Sequence, residues 1–253
     1  MPQDRTALVL AGGKGRRFRP YTDLIPKPMI PIGNTEKPIL EFIVRILAEG
    51  GFKRIVLLVG YKWKYIYNYF GSGERYGVEI KYSIDDDKYK DTGGAVLKAL
   101  KEGLVDSTDF LVWYGDILSV VDVADLYYSH LDMGADATLT IARRYQVPVG
   151  VVDIGEGGKV VGVVEKPWVD LRVFIGMAVF KKSSFMEHSK HLGTSFDIMG
   201  DLMPRMAGEA EVYAYYYDGP WFDVGSLERY EKISEKFISD LEGKLFPSEA
   251  SVP

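Results

Sequence analysis

The sequence contains no cysteine, which excludes disulfides, thiolate nucleophiles and every metal site built on sulfur. Histidine is nearly as scarce. His130, His188 and His191 follow no metal-ligand spacing and read as surface or packing residues. No run of about 18 apolar residues occurs and no signal-peptide pattern opens the chain, so a cytoplasmic protein with no membrane partner is expected. Basic residues are not in excess either. With 31 Lys and Arg against 36 Asp and Glu, the net charge of −5 points to no nucleic-acid partner. Internal repeats are missing, as are linkers rich in Pro, Gly or Ser. One domain over 1–246 is therefore expected, followed by a flexible tail at 247–253.

What is present suits a soluble α/β protein. The chain has 253 residues, 47% of them apolar and 26% charged, enough to bury a large core. Apolar runs predict strands at 6–10, 54–59, 78–83 and 110–114, and helical spacing predicts helices at 37–47, 62–70, 94–104 and 123–131. Strands alternating with helices in this way imply a mostly parallel sheet covered on both faces. Beyond residue 137 strand-like segments follow one another at 137–142, 150–154, 160–165 and 173–180. The pattern there predicts added antiparallel strands, then a helix at 196–206, a strand at 211–217 and a last helix at 227–241.

The first strand runs directly into Gly12, Gly13 and Gly15, interleaved with Lys14, Arg16, Arg17 and Arg19. Glycines let backbone N–H groups converge on phosphate oxygens, and the cations supply charge, so the stretch reads as an anion loop. Arg16 and Arg17 after Gly15 exclude the P-loop, and Phe18 stands where the dinucleotide fingerprint needs its last glycine. The residues alone leave open a glycine-rich turn with a solvated basic rim.

Leu10, Ala11, Gly12, Gly13, Gly15, Arg17, Phe18, Pro20 and Thr22, with Lys27 and Pro28 following, form a longer pattern. It resembles the signature of the sugar-1-phosphate nucleotidyltransferases, the nucleotide-sugar pyrophosphorylases. Further matches follow in that family's order: Asp91 to Ala95, Gly115 with Asp116, Val149 to Val152, Val164 to Pro167, and Trp221 to Gly225. Taken singly, these have plainer readings. Asp91 could cap a helix, Asp116 and Asp223 could be turn residues, and Glu165 with Lys166 could be an exposed pair.

The resemblance implies a single-domain nucleotide-diphospho-sugar transferase fold of Rossmann-like α/β type, with a mixed, mostly parallel sheet and an added antiparallel sugar-binding lobe. It implies an NTP and a sugar 1-phosphate as substrates, an NDP-sugar and pyrophosphate as products, and Mg²⁺ as cofactor. Under it Leu10, Ala11, Gly12, Gly13, Gly15, Thr92, Gly93, Gly94 and Ala95 bind nucleotide, and Gly150, Glu165 and Gly176 bind sugar. Arg17, Lys27 and Lys166 are the catalytic cations, and Asp116 and Asp223 the metal ligands.

One expected feature is missing. The family commonly carries Asn-x-Gly before the position of Gly176, and here Phe174 and Ile175 stand there. This keeps open a cytidylyltransferase acting on a non-sugar phosphate such as phosphocholine or inositol phosphate. A non-catalytic regulatory or binding subunit is the remaining alternative. Neither base nor sugar is indicated, and no hexapeptide β-helix follows residue 241, so a catalytic domain alone is expected. Members of the family often self-associate, which leaves a homo-oligomer open. Asp85 to Asp87 read as a solvated acidic turn, lacking the glycine and distal glutamate of a calcium loop.

Overall fold

A computed structural model describes residues 5–247; apart from Pro247, the expected tail lies outside the described residues. In chain order the first half comprises β1 (Thr6–Ala11), β2 (Pro31–Ile32), β3 (Lys37–Pro38), α1 (Ile39–Glu49), β4 (Arg54–Val59), α2 (Trp63–Phe70), β5 (Glu79–Ile84), α3 (Asp91–Lys101), β6 (Asp109–Tyr114), β7 (Ile117–Ser119) and α4 (Val123–Asp132). The second half adds β8 (Ala137–Ala142), β9 (Tyr145–Gln146), β10 (Val151–Ile154), β11 (Val160–Val164), β12 (Trp168–Val169), β13 (Val173–Lys181), α5 (Lys182–Ser189), α6 (Met203–Glu209), β14 (Val212–Tyr216), β15 (Trp221–Asp223), α7 (Leu227–Tyr230) and α8 (Glu235–Leu245).

Seven strands form the main sheet in the order β14-β8-β13-β6-β1-β4-β5. β1 pairs in parallel with β4 and β6, Thr6 lying opposite both Arg54 and Phe110. Burial on both faces explains the unbroken apolar runs of these strands. Leu8, Val56, Val112 and Phe180 pack on one side under α3, α5 and α6, while Val9, Leu57 and Trp113 meet α1 and α8 on the other. Only β13 runs against its neighbours in this sheet. The expected antiparallel region is thus smaller in the sheet than its sequence texture suggested. β8 and β14 run parallel to each other, and the other antiparallel pairs are short ribbons, β2 with β3, β10 with β11, β9 with β12 and β15 with β7.

Several boundaries differ from expectation for local reasons. α1 starts at Ile39 because Lys37 and Pro38 pair with Pro31 and Ile32, leaving Pro38 as its N-cap. α3 starts at Asp91, with Lys90 as N-cap. The predicted helix at 196–206 opens as a π-type turn at Ile198–Leu202 before α6, since Asp197 accepts from the N–H groups of Met199 and Gly200. The predicted final helix is two, because Ser234 caps a new helix by accepting from the N–H of Phe237. α5 was not anticipated; its segment, Lys182 to Ser189, is largely polar and buries few apolar side chains. Among the described residues no helix is long and apolar enough to cross a membrane.

Candidate active site

The carboxyl ends of β1, β4 and β6 open on a cavity of about 440 Å³, where open parallel sheets bind ligands. Leu10, Ala11, Gly12, Gly13, Lys27, Thr92, Ala95 and Asp116, all expected site residues, line it. Gly15 lies just beyond the wall at φ +58, the left-handed region that favours glycine. Its carbonyl accepts from the Thr22 hydroxyl at 2.9 Å, which pins the loop.

Thr92 is fixed by two bonds. Its hydroxyl donates to Asp197 at 2.7 Å and accepts from the N–H of Ile198 at 2.9 Å. Gly93 and Gly94 face away from the cavity, so closely packed on the Phe196 ring and the Thr194 carbonyl that a Cβ would collide with either. Their smallness serves helix packing. Asp91, at φ +60, accepts from the Ser195 hydroxyl.

Lys27 donates to Asp116 at 2.5 Å, a half-shielded ion pair beside the glycine loop. Asp223 reaches the same place from far along the chain. β15 pairs with β7 so that Asp223 lies opposite Ile117, and the Val224 N–H donates to the Asp116 carbonyl at 2.7 Å. The Asp223 carboxylate pairs with Arg229. Arg17 is exposed and off the cavity wall, yet near Asp223: a Cβ on Gly225 would lie 2.6 Å from Asp223 Oδ1 and 3.1 Å from Arg17 Nη2.

A second, larger cavity of about 940 Å³ lies on the other side of this junction. Ile117 and Asp223 belong to its wall, together with Arg143, Tyr145, Trp168, Phe174, Tyr217, Trp221 and Arg229. Tyr145 stacks on Trp221 with centroids 6.4 Å apart. Gly176, at φ +82, packs beneath it against Ile117 and Tyr114. The remaining expected sugar-side residues stand apart on an exposed arm. Glu165 and Lys166 pair at 3.7 Å with side chains 70% and 52% exposed, and Gly150 lies against Glu165. Lys166 has φ +47, a strained conformation for lysine.

Asp85, Asp86 and Tyr114 line the cavity although the sequence reading gave them no role there. Asp85, taken for part of a solvated turn, packs against Gly12, where a Cβ would lie 2.5 Å from its Oδ2. Burial pushes its carboxyl above the ordinary value, partly opposed by Lys98. Asp86 stands beside it on the wall. Tyr114 also lines the cavity, edge-on to Phe174 at 5.8 Å, and burial pushes its phenol up to about 12. The sequence reading gave the end of this run to Asp116 and left Tyr114 with the apolar strand.

Known proteins resemble the chain over most of its length. A UTP--glucose-1-phosphate uridylyltransferase of Synechocystis is 34% identical over 88% of this chain and 61% of its own length. A D-glycero-alpha-D-manno-heptose 1-phosphate guanylyltransferase of Aneurinibacillus thermoaerophilus is 28% identical over 91% of this chain and 97% of its own. The chain thus spans about three fifths of the first relative and nearly all of the second. The crystal structure of HddC from Yersinia pseudotuberculosis complexed with GMP-PN superposes with a TM-score of 0.71 at 26% identity, covering 92% of this chain and 99% of that one. The model describing the nucleotidyl transferases matches residues 6–240, and the chain belongs to that family.

Proposed function

We propose that this protein transfers a nucleotidyl group from an NTP to a sugar 1-phosphate, releasing pyrophosphate. The observation that carries this reading is the shared wall of the two cavities. Asp116 faces the first, Asp223 the second, and one backbone hydrogen bond of 2.7 Å joins their segments. A nucleotide in the first cavity and an acceptor in the second would meet at that wall. The names of the relatives, which pair a nucleotide with a sugar 1-phosphate, support the same reaction class.

In this reading the acceptor phosphate oxygen attacks the α-phosphorus in line and pyrophosphate departs on the opposite side. The protein contributes positioning and charge. Gly12, Gly13 and Gly15 cradle the phosphates, Leu10 and Ala11 floor the cavity, and Thr92 and Ala95 border the base, with Gly93 and Gly94 packed behind them. Lys27 contacts the α-phosphate, Arg17 stabilises the departing pyrophosphate, and Lys166, brought in from its arm, orients the incoming phosphate beside Gly150, Glu165 and Gly176.

The donor set fits Mg²⁺. The first cavity carries Lys14, Lys27 and Lys90 against Asp85, Asp86, Asp91 and Asp116, so a polyanionic ligand needs a cation between itself and the acids. Asp116 and Asp223 offer hard oxygen donors, and Mg²⁺ characteristically takes one or two carboxylates plus substrate phosphates. Bound there, it would neutralise phosphate charge as a Lewis acid. Lys27 and Arg229, which now pair with these carboxylates, hold them in place.

The test is a matrix of five NTPs against a panel of sugar 1-phosphates, phosphocholine and inositol phosphate, read as pyrophosphate release with Mg²⁺. Release with one sugar 1-phosphate is expected. Release only with a non-sugar phosphate would replace this reading by the cytidylyltransferase one, and nucleotide binding without turnover would make the protein a binding subunit.

A further inference from the structure

Among the described residues four cations stand on the wall of the second cavity: Arg143, Arg144, Arg229 and Lys232. Three of them pair with carboxylates that have no part in the junction of the two cavities. Arg143 pairs with Asp218 and lies over the Tyr216 ring, Arg144 pairs with Asp170 at 3.4 Å, and Lys232 pairs with Glu228. Arg229 pairs instead with Asp223, whose segment is bonded to that of Asp116. That bond uses Nη1 alone. A guanidinium carries five N–H donors, so among the described residues Nε and Nη2 are left without a partner, on a side chain 42% exposed. Helix α7 fixes its position. The Ser226 hydroxyl caps the helix by accepting from the Arg229 N–H. Next to it, Tyr230 donates to the Pro31 carbonyl at 2.8 Å and stands edge-on to Phe18 with centroids 6.1 Å apart, which fastens α7 to the segment following the glycine loop.

The reaction proposed above restricts where the acceptor phosphate can lie. Its attacking oxygen must come within about 3–3.5 Å of the α-phosphorus, at the shared wall of the two cavities. Lys166, the cation assigned to this phosphate, stands on the exposed arm and pairs with Glu165 at 3.7 Å. The arm does pass near α7. Glu228, which precedes Arg229, is held below the ordinary carboxylate value by its bond from Lys232 and, to a smaller extent, by the charge of Lys166. Arg229, in contrast, is at the wall without any movement of the arm. A guanidinium grips two oxygens of a phosphate at once through two N–H groups. A phosphate monoester has three terminal oxygens, so one stays free to attack.

We propose that Arg229 anchors the acceptor phosphate: Nη1 stays on Asp223 while Nε and Nη2 take two oxygens of a phosphate monoester in the second cavity. The third oxygen forms its bond to the α-phosphorus as the bond from that phosphorus to the bridging oxygen breaks, and pyrophosphate leaves with the electron pair. Lys166 joins from the arm, beside Glu228. This role rests on the nucleotidyl transfer proposed above.

Steady-state kinetics with the sugar 1-phosphate that the wild-type protein turns over test it, with circular dichroism to confirm folding. Arg229→Met should raise KM for the acceptor at least about tenfold, the scale of losing hydrogen bonds to a charged group, and leave KM for the NTP unchanged. Inorganic phosphate should inhibit the wild type in competition with the acceptor, and its inhibition constant should rise by a similar factor in Arg229→Met. Arg229→Lys, which keeps the charge without the fork, should recover part of the loss. A residue that only steadied Asp223 would lower kcat and leave the acceptor KM and the phosphate inhibition constant unchanged, and that result overturns the proposal. Pyrophosphate release by no wild-type pair would instead sink the transfer reading, and the role of Arg229 with it.

Discussion

Strands β1, β4, β5 and β6 lie parallel in the sheet, mostly buried and joined through helices, whereas β9 to β12 form antiparallel ribbons outside it. The first region is held by long apolar side chains on both of its faces, among them Phe110, Leu111, Val112 and Trp113, all at most 1% exposed. The second presents valines and a tryptophan to water, with Trp168 57% exposed. The glycine loop proposed to cradle phosphates stands on the buried region. Residues assigned to the acceptor, Gly150, Glu165 and Lys166, stand on the exposed one. In the proposed reaction the nucleotide would thus be held by the packed sheet and the acceptor by a thinly supported arm.

That contrast can be broken by substitution. Phe110 packs on Phe180 and Phe185, and Phe110→Ala should cost about 3–5 kcal/mol in urea unfolding, as truncation of a buried aromatic does. A cost under 1 kcal/mol would place rigidity elsewhere. Asp223→Ala and Arg17→Ala should each lower turnover at least about a hundredfold with little change in stability, the scale of losing a transition-state stabiliser. Near-normal turnover in a folded variant would remove both from the catalytic group.

Gly93→Ala probes packing beneath the first cavity. The added methyl meets the Phe196 ring, so a loss of about 1–3 kcal/mol is expected from overpacking; an unchanged unfolding midpoint would mean the ring yields freely. A smaller effect concerns acid. Burial acts to raise the Asp109 carboxyl, but bonds from His130 and Thr108 outweigh it and hold the group below its ordinary value. Its stabilising contribution is present above the ordinary carboxylate value and is lost as pH falls through the depressed one, below about pH 4. Asp109→Asn should flatten that part of the acid-unfolding curve, and an unaltered curve would assign it to other carboxylates. Smallest of all, Val160→Asp and Val163→Asp should each move stability by no more than about 0.5 kcal/mol, as exposed positions do. A larger loss would show that the ribbon belongs to the core.

The same contrast governs what could be read in advance. After Arg54, β4 is apolar from Ile55 to Val59 because both its faces are covered, and it was recognisable as a buried strand. The glycine loop and Asp116 could be read onto the cavity because each follows a buried strand of the sheet, and Asp223 was linked to Asp116 through the family resemblance. Asp85 was not, because its role depends on β5 ending beside Gly60 and Gly12, a contact made by sheet order. The environment of Gly93 and Gly94 was hidden for a similar reason. The segment that covers them arrives from residues 194–196, tied to Lys90 by a bridge at Ser195. Periodicity carried apolar residues through the break at Ser234, since helix capping there needs a hydroxyl and leaves the pattern intact.

The hydrogen bond from Val224 to Asp116 also bears on the order in which the fold can close. Asp116 takes its place at the end of β6 once that strand pairs with β1, whereas Asp223 is seated only when β15 finds β7. The second is a contact between segments far apart in sequence, whose loop must be closed before the contact repays it, so the wall between the two cavities is completed by a later pairing than the sheet beneath it.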